Sequence, residues 1–453
     1  FAPPVSFIAA TSGILRLPLQ LNKFRHGRVS YEFPRIFRPC AGGNMSTLRI
    51  VLRNYVDFEN ALTEEARLFE NHHPGTKIEL ISVGIHELYK SAVSEGGLRD
   101  GRFDLALLVT DWLAEAHAAG ALEDLHHWQQ LIRIHDWPDG WPHSLVRPLL
   151  FGDHLSSIPW HDGPECLVYR TDLFQDTAAC NAFRSQFFRD LAPPTTWEEF
   201  EQTARFFTDQ SNGRYGTVFA AFPDGHNTLY DFALQLWSRG GELIDSTGRP
   251  FLTTPKALSA LAFYRRIVRD PAICHPRSPE LDSTQSGDLF LAGEVAMMAN
   301  WFGFAARAGR EGSPLAGKVA IAPIPSACFA APVSLSVFWA LAMGRGSRQK
   351  ELAWQFLRFV ASPERDLGIT NHGAVGVRLS TWRNPSLQAR IPVYREVEAI
   401  SLGARQLPTG TAMASFAAMI DNVITRALTT NEPSAAILES AQREIDNKGI
   451  RFS

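Results

Sequence analysis

The chain has 453 residues, 45% of them hydrophobic and 20% charged, with a formal net charge of −3. That length suits about two or three domain-sized units, or one fold of two large lobes, with a core that needs no covalent staple. The near-neutral balance offers no basic face for nucleic acid, and no apolar run reaches the ~18 residues of a membrane span.

Residues 1–44 are rich in Pro, Arg and Phe and carry no sustained period. Val5 to Leu15 imitates a secretory leader only in broken form. Cys40 has no apolar run before it that would suit a lipid anchor. The expectation is a disordered or non-native extension, with Met45 as the native start. From Met45, strand and helix signals alternate. Leu48, Ile50 and Leu52 alternate as a strand, and Phe58, Leu62, Ala66 and Phe69 follow at helical spacing behind Asp57 as a cap. Residues 77–83 read as a second strand, 86–93 as a short helix, and 103–109 (FDLALLV) as a parallel strand buried on both faces. Asp111 then caps a helix that ends at Gly120. This alternation predicts an open parallel sheet with helices on its faces.

A second α/β region follows. Residues 155–159 and 165–169 read as strands around a turn at 160–164. Thr196-Trp197-Glu198-Glu199 is a capping box that opens a helix. Helices are expected over 231–239 and 254–268, and another from 286 behind a capping Thr or Ser. Strands at 295–299, 319–323 and 337–343 precede an amphipathic helix over 349–360 and two closing helices at 413–428 and 434–446. The cysteines, Cys40, Cys166, Cys180, Cys274 and Cys328, are widely spaced with no Cys-x-x-Cys. They read as free buried thiols, with Cys166–Cys180 the one pairing to consider, and not as a zinc site.

No nucleophile elbow, HExxH, P-loop or strand-borne GxGxxG occurs, and Gly373-Ala374-Val375-Gly376 is too short for a dinucleotide loop. The adjacent pairs His72-His73 and His126-His127 point apart on any regular element and make poor chelates. No catalytic residue, cofactor or metal ligand is assigned. A glycosidase built from carboxylates brought together in space stays open.

Several segments, taken in order, resemble the family 1 extracellular solute-binding proteins of ABC importers, the group that includes maltose-binding protein. They are Phe103 to Leu125 (FDLALLVTDWLAEAHAAGALEDL), Ile158 to Phe174 (IPWHDGPECLVYRTDLF), Pro193 to Phe200 (PPTTWEEF) and Phe290 to Trp301 (FLAGEVAMMANW). The stretch Ala340 to Pro363 and the closing helix Ser434 to Asp446 complete the set. The chain departs from the family pattern at Val337-Phe338-Trp339, where many relatives have Gly-Gly, and at Gly373 to Arg378, where many have a Pro.

The resemblance implies an α/β, two-lobed periplasmic-binding-protein-like fold of class II, each lobe a mostly parallel sheet flanked by helices. Residues 48–162 with 338–384 would form one lobe, and 165–335 with 385–453 the other. Hinge crossovers would lie near 160–165, 334–339 and 385–402. It also implies a non-enzymatic, monomeric, periplasmic or extracytoplasmic receptor. Such a receptor captures a mono- or oligosaccharide between its lobes and hands it to ABC permease subunits, with no cofactor and no nucleic acid. A carbohydrate-active enzyme or a ligand sensor on the same scaffold is the alternative.

Ligands of such folds lie at strand ends between the lobes. A sugar offers a CH face to an aromatic ring and a rim of hydroxyls to planar polar groups. Trp301 and Trp160 lead as stacking residues, with core packing as the other role for each. His161 and Asp162 share the first crossover loop, as hydroxyl partners or as hinge caps. Tyr55 and Asp57 lie between the first strand and helix, Asp57 as a contact or a cap, and Asp111 beside Trp112 has the same two roles. His226 and Tyr230 precede a helix, Phe302 adjoins Trp301, and Phe338 and Trp339 sit at the second crossover. Arg378 would serve an acidic sugar or a surface ion pair, and Trp382 is a weaker candidate. Trp197, Trp237 and Trp354 read as packing residues.

Overall fold

A computed structural model describes residues 45–327 and 330–452. The expectations for residues 1–44, Cys40 and Cys328 lie outside the described residues. The strands that matter here are β1 (Ser46–Arg53), β2 (Thr76–Val83), β3 (Leu105–Val109), β4 (Ser157–His161), β5 (Glu165–Arg170), β6 (Met297–Trp301), β7 (Val319–Ala322), β8 (Ser334–Leu335) and β9 (Trp339–Met343). The helices are α1 (Val56–His72), α2 (Asn227–Trp237), α3 (Ser283–Leu291), α4 (Phe302–Ala308) and α5 (Met413–Thr429).

Alternating Leu, Ile and Val residues bury β1, and every residue of β3 is buried, as a strand covered on both faces requires. The first sheet has the order β2-β1-β3-β9-β4. β1 runs parallel to β2 and β3, and β9 runs antiparallel to both β3 and β4. The second sheet has the order β6-β5-β7, with β5 antiparallel to both neighbours. Parallel bridges Tyr215–Val295 and Thr217–Cys274 continue it past β6.

Both sheets therefore follow one plan. Their strands share a direction except for one in each: β5, which follows β4 of the first sheet within a few residues, and β9, which follows β8, itself paired in parallel with Ala404–Arg405 in a separate two-stranded sheet. For β5 the cause is the shortness of the link from β4. A chain that leaves one sheet at its C-terminal edge and crosses within a few residues must enter the next sheet at the facing edge. It then runs against the strands that end there.

The Thr196 capping box is present and opens the helix Trp197–Phe207. Four other helix starts differ from expectation, each for a local reason. α1 begins at Val56 behind Tyr55, so Asp57 sits in the first turn and is not the cap. Asp111 lies in a tight turn, Thr110–Trp112, and the helix after it is preceded by Trp112. α3 begins at Ser283 because Asp282 caps it, with Gln285 completing a capping box. α2 starts at Asn227, earlier than expected, because the Asp224 carboxylate accepts the N–H groups of His226 and Asn227.

Cys166, Cys180 and Cys274 are free thiols. No Cys166–Cys180 bridge forms, and Cys180 Sγ donates to the Phe174 carbonyl instead. No helix among the described residues is long and apolar enough to cross a membrane.

Candidate functional site

The strand ends of both sheets open on one cleft of about 380 Å³. The first sheet supplies Arg53 at the end of β1, with Tyr55, Asp57 and Phe58 in the turn and helix that follow. It also supplies Ile85 and His86 after β2, Val109 at the end of β3, His161 at the end of β4 and Trp339 at the start of β9. Trp301 at the end of β6 lines the other side. It is joined by Asp282, Ser283 and Thr284 at the start of α3, and by Phe222, Asp224, His226, Asn227 and Tyr230 at the start of α2.

Aromatic rings form a chain that spans both sides. Phe58 is its hub and meets Tyr55, Trp160, His161 and Trp339 edge-on, at centroid distances of 5.0, 5.3, 4.7 and 5.3 Å. Trp339 meets Trp112 at 6.3 Å, Trp112 meets His226 at 5.8 Å, and Tyr230 meets Trp301 at 5.6 Å and 85°. Edge-to-face contacts of this kind fix ring orientation beyond what area burial would do. Trp301 is held in turn by Asn300, whose Oδ1 accepts the Trp301 N–H at 2.7 Å while its amide donates to Ser286 of α3.

Polar contacts cross the cleft. Tyr230 donates to Asp111 Oδ2 at 2.5 Å, and His226 Nδ1 lies 3.1 Å from the Tyr230 hydroxyl and 3.6 Å from the same carboxylate oxygen. Arg310 donates to Asp57 Oδ1 at 3.3 Å and to the Gly373 carbonyl. Tyr55 also donates to Asp57, at 3.3 Å. Gly373 has a φ of +118°, and a Cβ there would lie 2.1 Å from Asp57 Oδ1, so the close approach needs a glycine. The loop that carries Asp224 is pinned from below by Asp421 of α5, which accepts from the Gly225 N–H and the Thr228 hydroxyl.

Burial sets the protonation of the crossover. It pushes His161 down to about 3, helped by the Arg310 charge. The Val375 N–H donates to His161 Nδ1 at 2.8 Å, so the neutral ring keeps its proton on Nε2. Burial raises Asp162 to about 7, against hydrogen bonds from the Gly163 backbone and Ser336. Tyr55 is raised to about 12 by burial and by Asp57. Among the described residues no group of three or more His, Cys, Asp and Glu side chains is arranged to hold a metal ion.

Of the residues singled out by sequence, Tyr55, Asp57, His161, His226, Tyr230, Trp301 and Trp339 line the cleft. Asp111 and Trp112 stand behind it, one holding Tyr230 and the other backing His226 and Trp339. The remaining five, and the weaker candidate Trp382, do not reach the cleft wall. Trp160, Asp162, Phe302 and Phe338 are each at most 2% exposed. Successive residues of a strand face opposite ways, so Trp160 and His161 cannot both look into the cleft. Phe302 turns inward as the first residue of α4 and meets Tyr394 edge-on. Arg378 is likewise buried: it donates to the Ala361 carbonyl at 2.8 Å and to Asp136 at 3.2 Å, and it sits over the Trp141 ring at 4.1 Å. It is neither a ligand contact nor a surface pair.

The wall residues that sequence reasoning missed are Arg53, His86, Phe222, Asp224, Asn227 and the Asp282–Thr284 cap. Phe222-Pro223-Asp224-Gly225 and Asp282-Ser283-Thr284-Gln285 carried readable turn and cap signals. They could have been placed on the cleft side once strand direction was known.

Two α/β sheets whose strands end on a shared, ring-lined cleft, with the chain passing back and forth between them, define a two-lobed binding fold. Residues 54–365 match the family described as bacterial extracellular solute-binding protein, and the chain belongs to that family. It is 27% identical over 229 residues to a probable ABC transporter-binding protein of Deinococcus radiodurans, a match spanning 49% of this chain and 50% of that one. It is 23% identical over 297 residues to a putative binding protein of Brucella abortus, spanning 66% and 67%. The chain thus spans about half to two thirds of the length of these curated relatives. Among solved structures, its fold is similar to maltose-bound MalE3 of T. maritima, with a TM-score of 0.78 and 21% identity over 89% of this chain and 100% of that one. It is also similar to a solute-binding protein of Agrobacterium radiobacter K84 in complex with ribitol, with a TM-score of 0.79 and 23% identity over 90% and 99%.

Proposed function

We propose that this chain is a transport receptor that captures a small polar solute, a mono- or oligosaccharide by chemistry, and delivers it to an ABC-type importer outside the cytoplasm. The observation that carries the reading is the aromatic lining of the cleft, shared between both sheets. Tyr55 and Trp339 stand on one side and Trp301 and Tyr230 on the other. Ring faces suit the CH faces of a sugar, and the neutral His161, Asp57 and Asn227 suit its hydroxyls. Fold relatives hold maltose, ribitol and D-mannitol, which share this mixed apolar and hydroxyl character.

The lobes in this reading are residues 48–162 with 338–384, and 165–335 with 385–453. They hinge at the crossings between β4 and β5 and between β8 and β9, with a third crossing in 385–402. Closure brings Tyr230 to Asp111 and Arg310 to Asp57. A ligand favours closure only by binding the closed state better than the open one, so contacts from both lobes are what the mechanism needs. No catalytic step is assigned. The test is a thermal-shift screen over monosaccharides, oligosaccharides and polyols, since a ligand at 100 times its Kd adds ~2.7 kcal/mol to the native state. A clear rise in Tm with at least one sugar or polyol is expected, and a flat response across the panel contradicts the reading.

A further inference from the structure

Among the described residues that line the cleft, Arg53 is the one Lys or Arg. It stands at the C-terminal end of β1, partly buried, with its guanidinium 6.0 Å from the ring centroids of both Tyr55 and Trp339. The guanidinium makes no hydrogen bond and no ion pair with any described residue. The other arginines near the site are engaged: Arg310 by Asp57 and the Gly373 carbonyl, Arg307 by Asp288, and Arg378 by Asp136 and the Ala361 carbonyl.

The carboxylates of the lining are committed as well. Asp57 accepts from Tyr55 and Arg310, Asp224 accepts from the backbone of His226 and Asn227 and from the Asn227 amide, and Asp282 caps α3. Arg53 is thus a partly buried cation with two aromatic rings beside it and no counter-ion among the described residues. Leaving such a group unpaired costs free energy that a matching anion recovers. The guanidinium fork fits a carboxylate in bidentate fashion.

We propose that the solute carries a carboxylate, as a uronic or aldonic acid does, and that Arg53 receives it between Tyr55 and Trp339. A monoanion fits better than a phosphate dianion. One guanidinium supplies one charge, and Asp224 and Asp282 on the facing wall repel a second. The inference rests on the sugar-receptor reading and narrows its substrate class. Arg53 is then a specificity-determining residue that sequence reasoning sought at Arg378, whose guanidinium is consumed inside the fold.

The test is titration calorimetry of the full chain at low salt with glucuronate, galacturonate and gluconate, each paired with its neutral counterpart (glucose, galactose, sorbitol). The expected result is at least one acid bound tenfold or more tighter than its neutral partner, with the gap shrinking as salt is raised. Arg53→Gln removes most of that preference, and Arg53→Lys keeps a measurable part of it. Apo melting curves of both variants separate loss of the contact from loss of the fold. Equal or tighter binding of the neutral partners, with Arg53→Gln weakening both alike, overturns the carboxylate assignment and leaves the sugar reading standing. A panel in which neither acids nor neutral sugars bind overturns both.

Discussion

The two walls of the cleft are built on the same strand plan but by different local devices. On the wall of the first sheet, side chains come from strand ends and are locked by ring packing around Phe58, which is 2% exposed and touches four rings. On the wall of the second sheet, the polar groups are presented by helix starts: Asp224 just ahead of α2, Asn227 as its first residue, and Asp282 at the cap of α3. The first device gives a rigid surface whose residues share one core. The second gives polar groups whose hydrogen bonds are mostly local, with Gly225 and Thr228 anchored from a distance by Asp421. Damage to the first wall should therefore spread into stability, whereas damage to the second should stay in binding.

The sharpest break of that contrast is Phe58→Ala. Removing the hub opens a cavity in a buried ring cluster and should cost ~3–5 kcal/mol of stability, read by thermal or denaturant melt of the apo protein. Trp301→Ala on the opposite wall should instead weaken sugar binding by ~2 kcal/mol or more while the apo Tm stays close to wild type, because the ring is partly exposed. A Trp301 variant that melts far below wild type yet binds normally once folded would make that ring core. Tyr230→Phe deletes the hydroxyl that joins the walls through Asp111, and should weaken binding by ~1 kcal/mol, seen as faster ligand release.

The remaining prediction is a pH dependence. His161 is held near 3 in the fold, against ~6.5 when free. Below pH ~6.5 the unfolded chain gains a proton at this histidine that the native state refuses, so the His161 contribution to stability is lost as pH falls from there toward 3 and is constant above. His161→Asn, whose amide oxygen can still accept from Val375, should lose less Tm between pH 7.5 and pH 5 than wild type does. An unchanged difference between those two pH values would show that His161 does not set the acid response.

Fold and site were legible to different depths. Hydrophobic period and cap chemistry located most strands and helices within a few residues, since β1, β3 and the Thr196 box each carry their signal locally. The direction of β5 and β9 had no local signal, because it depends on where the preceding strand ends. Cleft-lining positions were read best where one aromatic stood at a strand end, as with Trp301. They were misread where neighbours were chosen together, as with Trp160 beside His161, because the strand pleat admits only one of them to the cleft. Arg378 was misread for another reason. Nothing near it in sequence announces Asp136 and Trp141, the distant groups that take up its charge.

The central claim is that one ligand is gripped by both walls at once. It is tested most directly by calorimetric titration of the sugar or polyol found in the screen into wild type, Trp339→Ala and Trp301→Ala. The account predicts a single-site isotherm for wild type and a loss of about tenfold or more in each variant, equivalent to ~1.4 kcal/mol. Unchanged affinity in either variant, with its fold intact, would confine the ligand to one wall and contradict the account.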